Sequence, residues 1–488
     1  MRQTGHALVI GGSMAGLLAG RVLANHFDQV TIIERDFFPE NPVPRRGVPQ
    51  SCHFHLLLKR GRMILEQLFP GLQNELVAAG APILNPGTDT AWFSPAGWAM
   101  QFDPDLTDLV IFSRDLLDWV IRHRLATFAN IRFLEGGIVT GLLANSNKTG
   151  IAGVAVRFRN RSEVDSTSEE NLYADLVVDA SGKVSKAPQW LRTLGYAPPP
   201  ETVVNAFVGY ASRLYQARAN FQADQSSVFV SMAPPSRTRG GAIFAIEGDR
   251  WIVGLGGGDR DYPPTDESGF MEFARSLPTP IIYNAIKEAE PLTPIYSYRG
   301  TENRWCHYER LRRHPENFLV VGHAACAFNP IYGQGMTVAA LDAQTLDQCL
   351  HERRQRYPDG NLKGLARQVQ HKLAKVHGVA WMFATSQDYR YQGTEGGKPS
   401  FITQLMIQYI DQVLKLATED AKICQAFLEV MHMVKPPITL FHPNIVVKVL
   451  KQVFKPFSSI ESLQSSLNSQ HPPIRQPSRR YHQNSEHT

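Results

Sequence analysis

The sequence predicts an α/β protein. A Rossmann-like βαβ unit opens the chain, an α+β sheet domain is interleaved with it, and C-terminal helices follow. Three observations carry this. Residues 7–34 run strand, glycine turn, helix, strand; residues 203–258 read mainly as strands; residues 362–455 are mostly helical in pattern.

The bulk composition permits such a fold and narrows the rest. The chain of 488 residues has room for two or three domains, or for one large domain interleaved with another. Hydrophobic residues make up 43% and charged residues 19%, which suits a packed core. The net charge of +5 is mild and spread out. No basic stripe is interleaved with aromatics, so nucleic acid is not an expected partner, and neither is an obligate protein. Five scattered cysteines (Cys52, Cys306, Cys326, Cys349, Cys424) form no CxxC pair, which suits free thiols in a reducing cytosol and no metal centre. The start, "MRQTGHALVIGG", enters a strand at once and reads as lacking a signal peptide. No apolar run reaches the about 18 residues of a transmembrane helix.

Each element follows from local pattern. "ALVIGG" (7–12) is a buried parallel strand by composition, "SMAGLLAGRVLANHF" has helical apolar spacing, and "QVTIIE" (29–34) is the next strand. Phe37 to Pro49 is Pro- and Arg-rich loop. "HFHLLLKRGRMILEQLF" (53–69) returns to helix, closed by Pro70 and Gly71. "TDTAWFSPAGWAMQF" (88–102) is an expected hairpin. "SRDLLDWVIRHRLATF" is a helix with Ser113 as N-cap and Asp115 in its first turn. "ADLVVDASG" (174–182) is a strand entering a turn, and "AIFAIEGDRWIVGLGG" (242–257) is a hairpin about Gly248 and Asp249. After Gly335 a long helix is expected, with basic residues at its C-terminal end. The polar, Pro/Ser-rich stretch 458–488 reads as a disordered tail.

The site candidates sit at three turns. Gly11-Gly12-Ser13-Met14-Ala15-Gly16 occupies a GxGxxG position with Ser13 for the middle glycine, so a helix N-terminus offers N–H groups to a pyrophosphate. Glu34, with Arg35 beside it, ends the second strand, where a carboxylate can hold ribose hydroxyls. Asp179-Ala180-Ser181-Gly182 follows another strand; strands commonly end in such turns, so alone it says little. Gly333, Gln334, Gly335 and Met336 begin the long helix and can stabilise negative charge. Arg45, Arg46 and Arg114 could each reach a phosphate or sit in solvent. His53 and His55 lie two apart, a spacing that suits packing or a polar contact better than metal. "GLGGGDRDYPP" (254–264) runs into Pro263 and Pro264, so it is a loop and not a second nucleotide site.

Together, "VIGGSMAG" with Glu34, "DASGKVS" and "GHAACAFNPIYGQGMTVAALDA" resemble, in order, the signatures of the single-component FAD-dependent monooxygenases. "GQGMTVAALDA" is similar to squalene epoxidase. "RRGVPQSCHFHLLLKRG", "FSRDLLDWVIRH", "RWIVGL" and "WMFATSQDY" are similar to bacterial epoxidases acting on the polyene precursors of polyethers. The resemblance spans the N-terminus to about residue 390. It implies a glutathione reductase/PHBH-type FAD-binding domain from 1–75, 105–190 and 300–360. A substrate-binding sheet domain would comprise 76–104 and 191–299, with a helical region at 361–457. FAD would lie on Gly11, Gly12, Ser13, Ala15, Gly16, Glu34, Arg35, Arg46, Arg114, Asp179, His323, Gly333, Gly335 and Met336.

The family chemistry is implied with it: NAD(P)H as a transient co-substrate reduces the flavin, O₂ adds at C4a, and the hydroperoxide oxygen passes to a lipophilic polyene, terpenoid or polyketide-like substrate. No catalytic side chain is named, because epoxidation requires no general base. The aromatics Trp92, Phe93, Trp98, Phe207, Phe229, Phe244 and Trp251 would line the substrate sheet or pack its core.

His323 departs from the pattern, standing where the family carries an aspartate. Losing one charge-assisted bond costs about 1.5–3 kcal/mol, which weakens a tight cofactor without abolishing it. Two alternatives are a flavin-dependent isoprenoid reductase and a cofactor-poor, non-catalytic homologue. A halogenase fits less well, since "WFSPAGW" is not the WxWxIP pattern. "HPNIVVKVLKQVFKPF" (442–457) reads as a helix docked on the body, with peripheral membrane contact as the alternative.

Overall fold

The computed structural model describes residues 5–102, 109–159, 169–217 and 227–454. The expected tail at 458–488 lies outside them. A five-stranded parallel sheet organises the N-terminal unit. In spatial order its strands are Phe318–Val320, Leu176–Asp179, β1 (His6–Ile10), β2 (Gln29–Glu34) and Ile131–Glu135. Ile10 pairs with both Asp179 and Ile33, and Asp179 pairs with Val320, so these strands end level with one another. The turns after them therefore share one edge, where ligands of open parallel sheets bind.

Both faces of this sheet are covered, which explains why β1 and β2 are apolar runs and not alternating strands. On one face, α1 (Met14–Leu23) packs with the helices Arg114–Ala126 and Gly335–Arg356 in a single core. On the other lies a three-stranded antiparallel sheet, Gly137–Ala144, Ile151–Phe158 and Glu169–Tyr173, which the sequence reading did not anticipate.

The second sheet has seven strands, among them Thr90–Ser94, Gly209–Gln216, Arg239–Ile246 and Arg250–Gly257. Both expected hairpins are present: Thr90–Ser94 turns into Gly97–Trp98, and Arg239–Ile246 into Arg250–Gly257. One face is closed by the short helices Glu267–Arg275 and Ile281–Ile286, through Phe270, Phe273 and Ile282. The other face looks across a chamber at the C-terminal helices Leu365–Asp388, Phe401–Ala417 and Ala421–Met431. Ser113 caps its helix as expected, accepting from Leu116 N–H at 3.2 Å.

One element begins later than its pattern suggests. The helix expected from His53 spans only Lys59–Leu68. The six residues before it are held by tertiary contacts instead. His53 Nδ1 lies 3.0 Å from Ser212 Oγ, and Phe54 stacks on Phe244 at 4.2 Å. Apolar spacing cannot reveal that a segment is pinned to a distant sheet.

Candidate nucleotide and substrate site

The three turns converge on a single cavity of about 970 Å³. Gly11, Ser13, Met14, Ala15, Glu34, Arg35, Arg114, His323, Gly333, Gly335 and Met336 all line it. The first turn is tight because Gly16 passes so close to Gly11 that a Cβ there would lie 1.8 Å from the Gly11 carbonyl oxygen. Glu34 is buried, and its carboxylate is already engaged. Oε2 accepts from Gly12 N–H at 2.7 Å and pairs with Arg45 at 3.1 Å, while Oε1 accepts from Asp36 N–H at 3.0 Å. Of roughly four lone-pair positions, about one is left for a ligand hydroxyl.

Arg114 is buried at the start of its helix. It donates to Asp118 Oδ1 at 2.9 Å and to Ser13 Oγ at 3.0 Å, so the cation is fixed beside the first turn.

Four expected contacts stand away from the cavity wall. Gly12 turns its N–H to Glu34, and Gly16 serves the packing of helix on strand. Arg46 is exposed; its neighbour Arg45 faces inward and donates to the Gly12 carbonyl at 2.8 Å. Asp179 is fully buried and shapes its own turn, accepting from Ser181 N–H at 2.9 Å and Ser185 Oγ at 2.5 Å. Burial raises its carboxyl above the ordinary range. The turn it braces, Ala180 to Val184, reaches the cavity in its place.

His323 is held as a neutral imidazole. Burial lowers its pKa to about 4, helped by the positive charges of Lys183 and Arg114. A protonated imidazole pairing with phosphate is therefore not its state at neutral pH. Nε2 is buried without a hydrogen-bond partner and lies 2.6 Å from where a Cβ on Gly335 would stand. Only glycine at 335 leaves room for this ring. Beneath it, Asp342 on the long helix accepts from Gly322 N–H at 2.8 Å and from His377 Nε2 at 2.9 Å, anchoring the loop that carries His323.

A further knot, missed in the sequence reading, braces the third turn. Asp388 is fully buried and accepts from Tyr332 OH at 2.5 Å, Asn329 Nδ2 at 3.1 Å and Asn303 Nδ2 at 2.5 Å. Burial raises its pKa to about 6 despite these donors. Asp388 lies within the "WMFATSQDY" segment, which was the only available signal for it.

The residues fit an extended nucleotide. His323 Nε2 and Gln334 Oε1 come from two different turns, are buried without partners, and belong to residues lining the cavity. Glu34 and Arg114 add a carboxylate and a cation at the first turn, where ribose and phosphate groups need them. Beyond Gly333 the cavity continues into an apolar chamber between the seven-stranded sheet and the C-terminal helices, walled by Phe229, Phe244, Phe383, Ile410, Phe427 and Met431. Of the seven aromatics considered beforehand, Trp92, Phe229 and Phe244 line it. Phe93, Trp98 and Trp251 pack in the core behind the sheet, and Phe207 lies under the Arg260 guanidinium. Tyr210, Ser212 and Tyr298 form a polar island on the wall, backed by buried His53. No cluster of metal ligands occurs among the described residues.

An α/β unit whose sheet-edge turns open into an apolar sheet chamber defines the fold class, and comparison with known proteins agrees. No family model matches the chain. Protein Rv3254 of Mycobacterium tuberculosis (strain ATCC 25618 / H37Rv) is 31% identical over 428 residues, covering 87% of this chain and 88% of its own. Kynurenine 3-monooxygenase of Salinispora arenicola (strain CNS-205) is 25% identical over 381 residues, 72% of this chain and 73% of its own. Among solved structures, a flavoprotein/dehydrogenase from Cytophaga hutchinsonii matches with a TM-score of 0.63 at 16% identity, covering 92% of this chain and 98% of its own. A triple mutant of the flavin-dependent brominase Bmp2 matches at 0.61 and 15%, with the same coverage. PqsL of Pseudomonas aeruginosa, a probable FAD-dependent monooxygenase, matches at 0.56 and 16%, covering 79% and 97%. The fold is that of the flavin-dependent monooxygenases and halogenases. The chain belongs to the family of Protein Rv3254.

Proposed function

We propose that the protein is an FAD-dependent monooxygenase that uses NAD(P)H and O₂ to epoxidise or hydroxylate a lipophilic polyene, terpenoid or polyketide-like molecule. The observation that carries this is the continuity of the cavity: one space runs from the nucleotide turns past Gly333–Met336 into the apolar chamber. A relative named as a monooxygenase supports the oxygenase chemistry. The squalene epoxidase-like motifs and the chamber's apolar wall support the substrate class. The reading assigns 1–75, 105–190 and 300–360 to the cofactor and 76–104 with 191–299 to the substrate.

In this reading Gly11, Ser13, Met14, Ala15, Glu34, Arg114, the 181–184 turn, His323 and Gly333–Met336 hold FAD. When bound, FAD supplies the activation of O₂ and the transfer of one oxygen atom. The chain's own residues do the rest. The N-terminus of the helix Gly335–Arg356 presents free N–H groups and favours negative charge beside it. The Asp388 knot holds Asn329 and Tyr332 so that this turn keeps its place. The lid helices exclude water, and the apolar walls confine the substrate by shape, which raises its effective concentration at the reacting end. The Tyr210–Ser212–Tyr298 island gives the substrate one polar foothold.

Peripheral contact of a cytosolic protein with a lipid surface belongs to the same proposal. The helix Phe401–Ala417 exposes Phe401 and Ile402, Ile402 also lines the cavity, and Phe454 is exposed after the last helix. The helix Pro443–Val453 nonetheless docks by Ile445 and Val449. No helix among the described residues is long and apolar enough to cross a membrane.

The test is reconstitution with FAD, then measurement of O₂ uptake during NADPH or NADH oxidation, with and without a lipid extract. A product heavier by one oxygen atom supports the proposal. Nicotinamide oxidation coupled to substrate reduction without O₂ would replace it by the isoprenoid reductase. A colourless protein that takes up no FAD would leave the non-catalytic homologue.

A further inference from the structure

The nucleotide end of the cavity offers donors on several sides, with the unpartnered Gln334 Oε1 among its acceptors. Arg114 and the helix N-terminus at Gly335 supply positive character. A dinucleotide's sugar and polyol hydroxyls also need acceptors. The Glu34 carboxylate is largely taken up by Gly12, Asp36 and Arg45. At position 323 an imidazole replaces a carboxylate, and its Nε2 is pressed against Gly335. His55 also lines this cavity, close enough to Arg114 to feel its charge.

Its tautomer is set by its neighbour. His55 Nδ1 lies 2.9 Å from the His53 carbonyl oxygen, which can only accept, so Nδ1 carries the proton. Nε2 must then be the unprotonated lone-pair nitrogen. The segment that carries the ring cannot drift, because His53 is fastened to Ser212 and Phe54 is stacked on Phe244. The ring is also held neutral: burial, with Arg114 nearby, lowers its pKa to about 3. A group this weakly basic is suited to accepting a hydrogen bond and unsuited to taking up a proton at neutral pH.

We propose that His55 is a cofactor-binding residue whose Nε2 accepts a hydrogen bond from a hydroxyl of bound FAD. This rests on the FAD reading above. It also accounts for the His-x-His pair: His53 is the positioning residue, fixing the tautomer through its carbonyl, and His55 makes the contact.

The experiment titrates FAD-free protein with FAD and follows flavin fluorescence, comparing wild type, His55→Leu and His55→Gln. The Gln side chain can place its amide oxygen near the position of Nε2, whereas Leu offers volume without an acceptor. His55→Leu should raise the FAD dissociation constant roughly tenfold, as expected for one buried hydrogen bond, while His55→Gln stays within about threefold of wild type. Far-UV circular dichroism of each FAD-free variant reports folding, and if His55→Leu does not fold, His55→Met takes its place. Wild-type affinity in a folded variant without an acceptor overturns the role of His55 and leaves the FAD reading intact. Equal loss in the Gln and apolar variants also overturns it, since the ring and not the acceptor would then matter. A wild-type protein that takes up no FAD overturns both.

Discussion

Replacing Gly335 by alanine would set a methyl group 2.6 Å from His323 Nε2 and 3.0 Å from its Cε1. Ordinary carbon contacts are about 3.5–4.0 Å, so the overlap is close to 1 Å. The obstacle is the tip of a side chain, which can turn aside, but the ring is packed into its loop and edges toward Phe328 at 6.3 Å. Overpacking of this kind costs about 1–3 kcal/mol, against a helix-propensity gain of at most about 1 kcal/mol for alanine over glycine. Gly335→Ala should therefore destabilise the FAD-free protein, by up to about 2 kcal/mol where the full propensity gain is realised. With His323→Ala present the obstacle is gone, and the same substitution should become neutral or stabilising. Urea unfolding of wild type, both single variants and the double variant gives a coupling energy, expected at about 1–3 kcal/mol. A coupling within about 0.5 kcal/mol of zero would refute the placement of the imidazole against Gly335. Gly16→Ala makes the control: its methyl would meet the Gly11 backbone oxygen at 1.8 Å, so no side-chain truncation nearby should rescue it.

Other expectations follow from the same geometry. Glu34→Gln removes the charge behind a carboxylate that organises both Gly12 and a ligand hydroxyl, and should weaken FAD binding roughly ten- to hundredfold by fluorescence titration. His323→Asp should tighten FAD retention on dilution, because a carboxylate restores acceptor capacity; unchanged retention would count against cofactor contact there. Phe427→Ala removes a buried ring stacked on Trp92 at 5.8 Å and should cost about 3–5 kcal/mol in urea unfolding. Acid should destabilise the FAD-free protein. His53, His323 and His432 are lowered to about 4 and His55 to about 3, so stability present above the ordinary value of 6.5 is lost as pH falls through this range. For the buried His53 and His432 this is on the order of 3 kcal/mol each. Asp115 and Asp388, raised to about 6, act oppositely between about pH 4 and 6, but four imidazoles outweigh two carboxyls. Unfolding free energy at pH 5 should fall below that at pH 7; the reverse would mean that the imidazoles are not buried as described.

The two carboxyl-anchored knots separate what a pattern can show from what it cannot. Asp179 has the right neighbours in sequence for a ligand contact, yet Ser181 and Ser185 consume its lone pairs and the turn it braces does the facing. Asp388 carried no legible role, because its partners Asn303, Asn329 and Tyr332 are between 56 and 85 residues away in the chain. The squalene epoxidase-like motifs are local in the chain. The fold comparisons reach the broader set of flavin-dependent monooxygenases and halogenases.

Alone, the amino-acid order determined the parallel sheet, the glycine turn before α1, the carboxylate ending β2 and the glycine-opened helix at Gly335. Each of these is written in contiguous residues, where apolar runs and small side chains restrict the backbone directly. Only the tertiary structure decided that Arg45 and not Arg46 turns inward, that residues 53–58 stay out of the helix, and that His55 Nε2 is left as the lone-pair nitrogen. Those outcomes depend on Glu34, Ser212, Phe244 and the His53 carbonyl arriving from elsewhere in the fold, and a hydrogen bond acts on whatever the packed chain brings within about 3 Å, whatever its distance along the sequence.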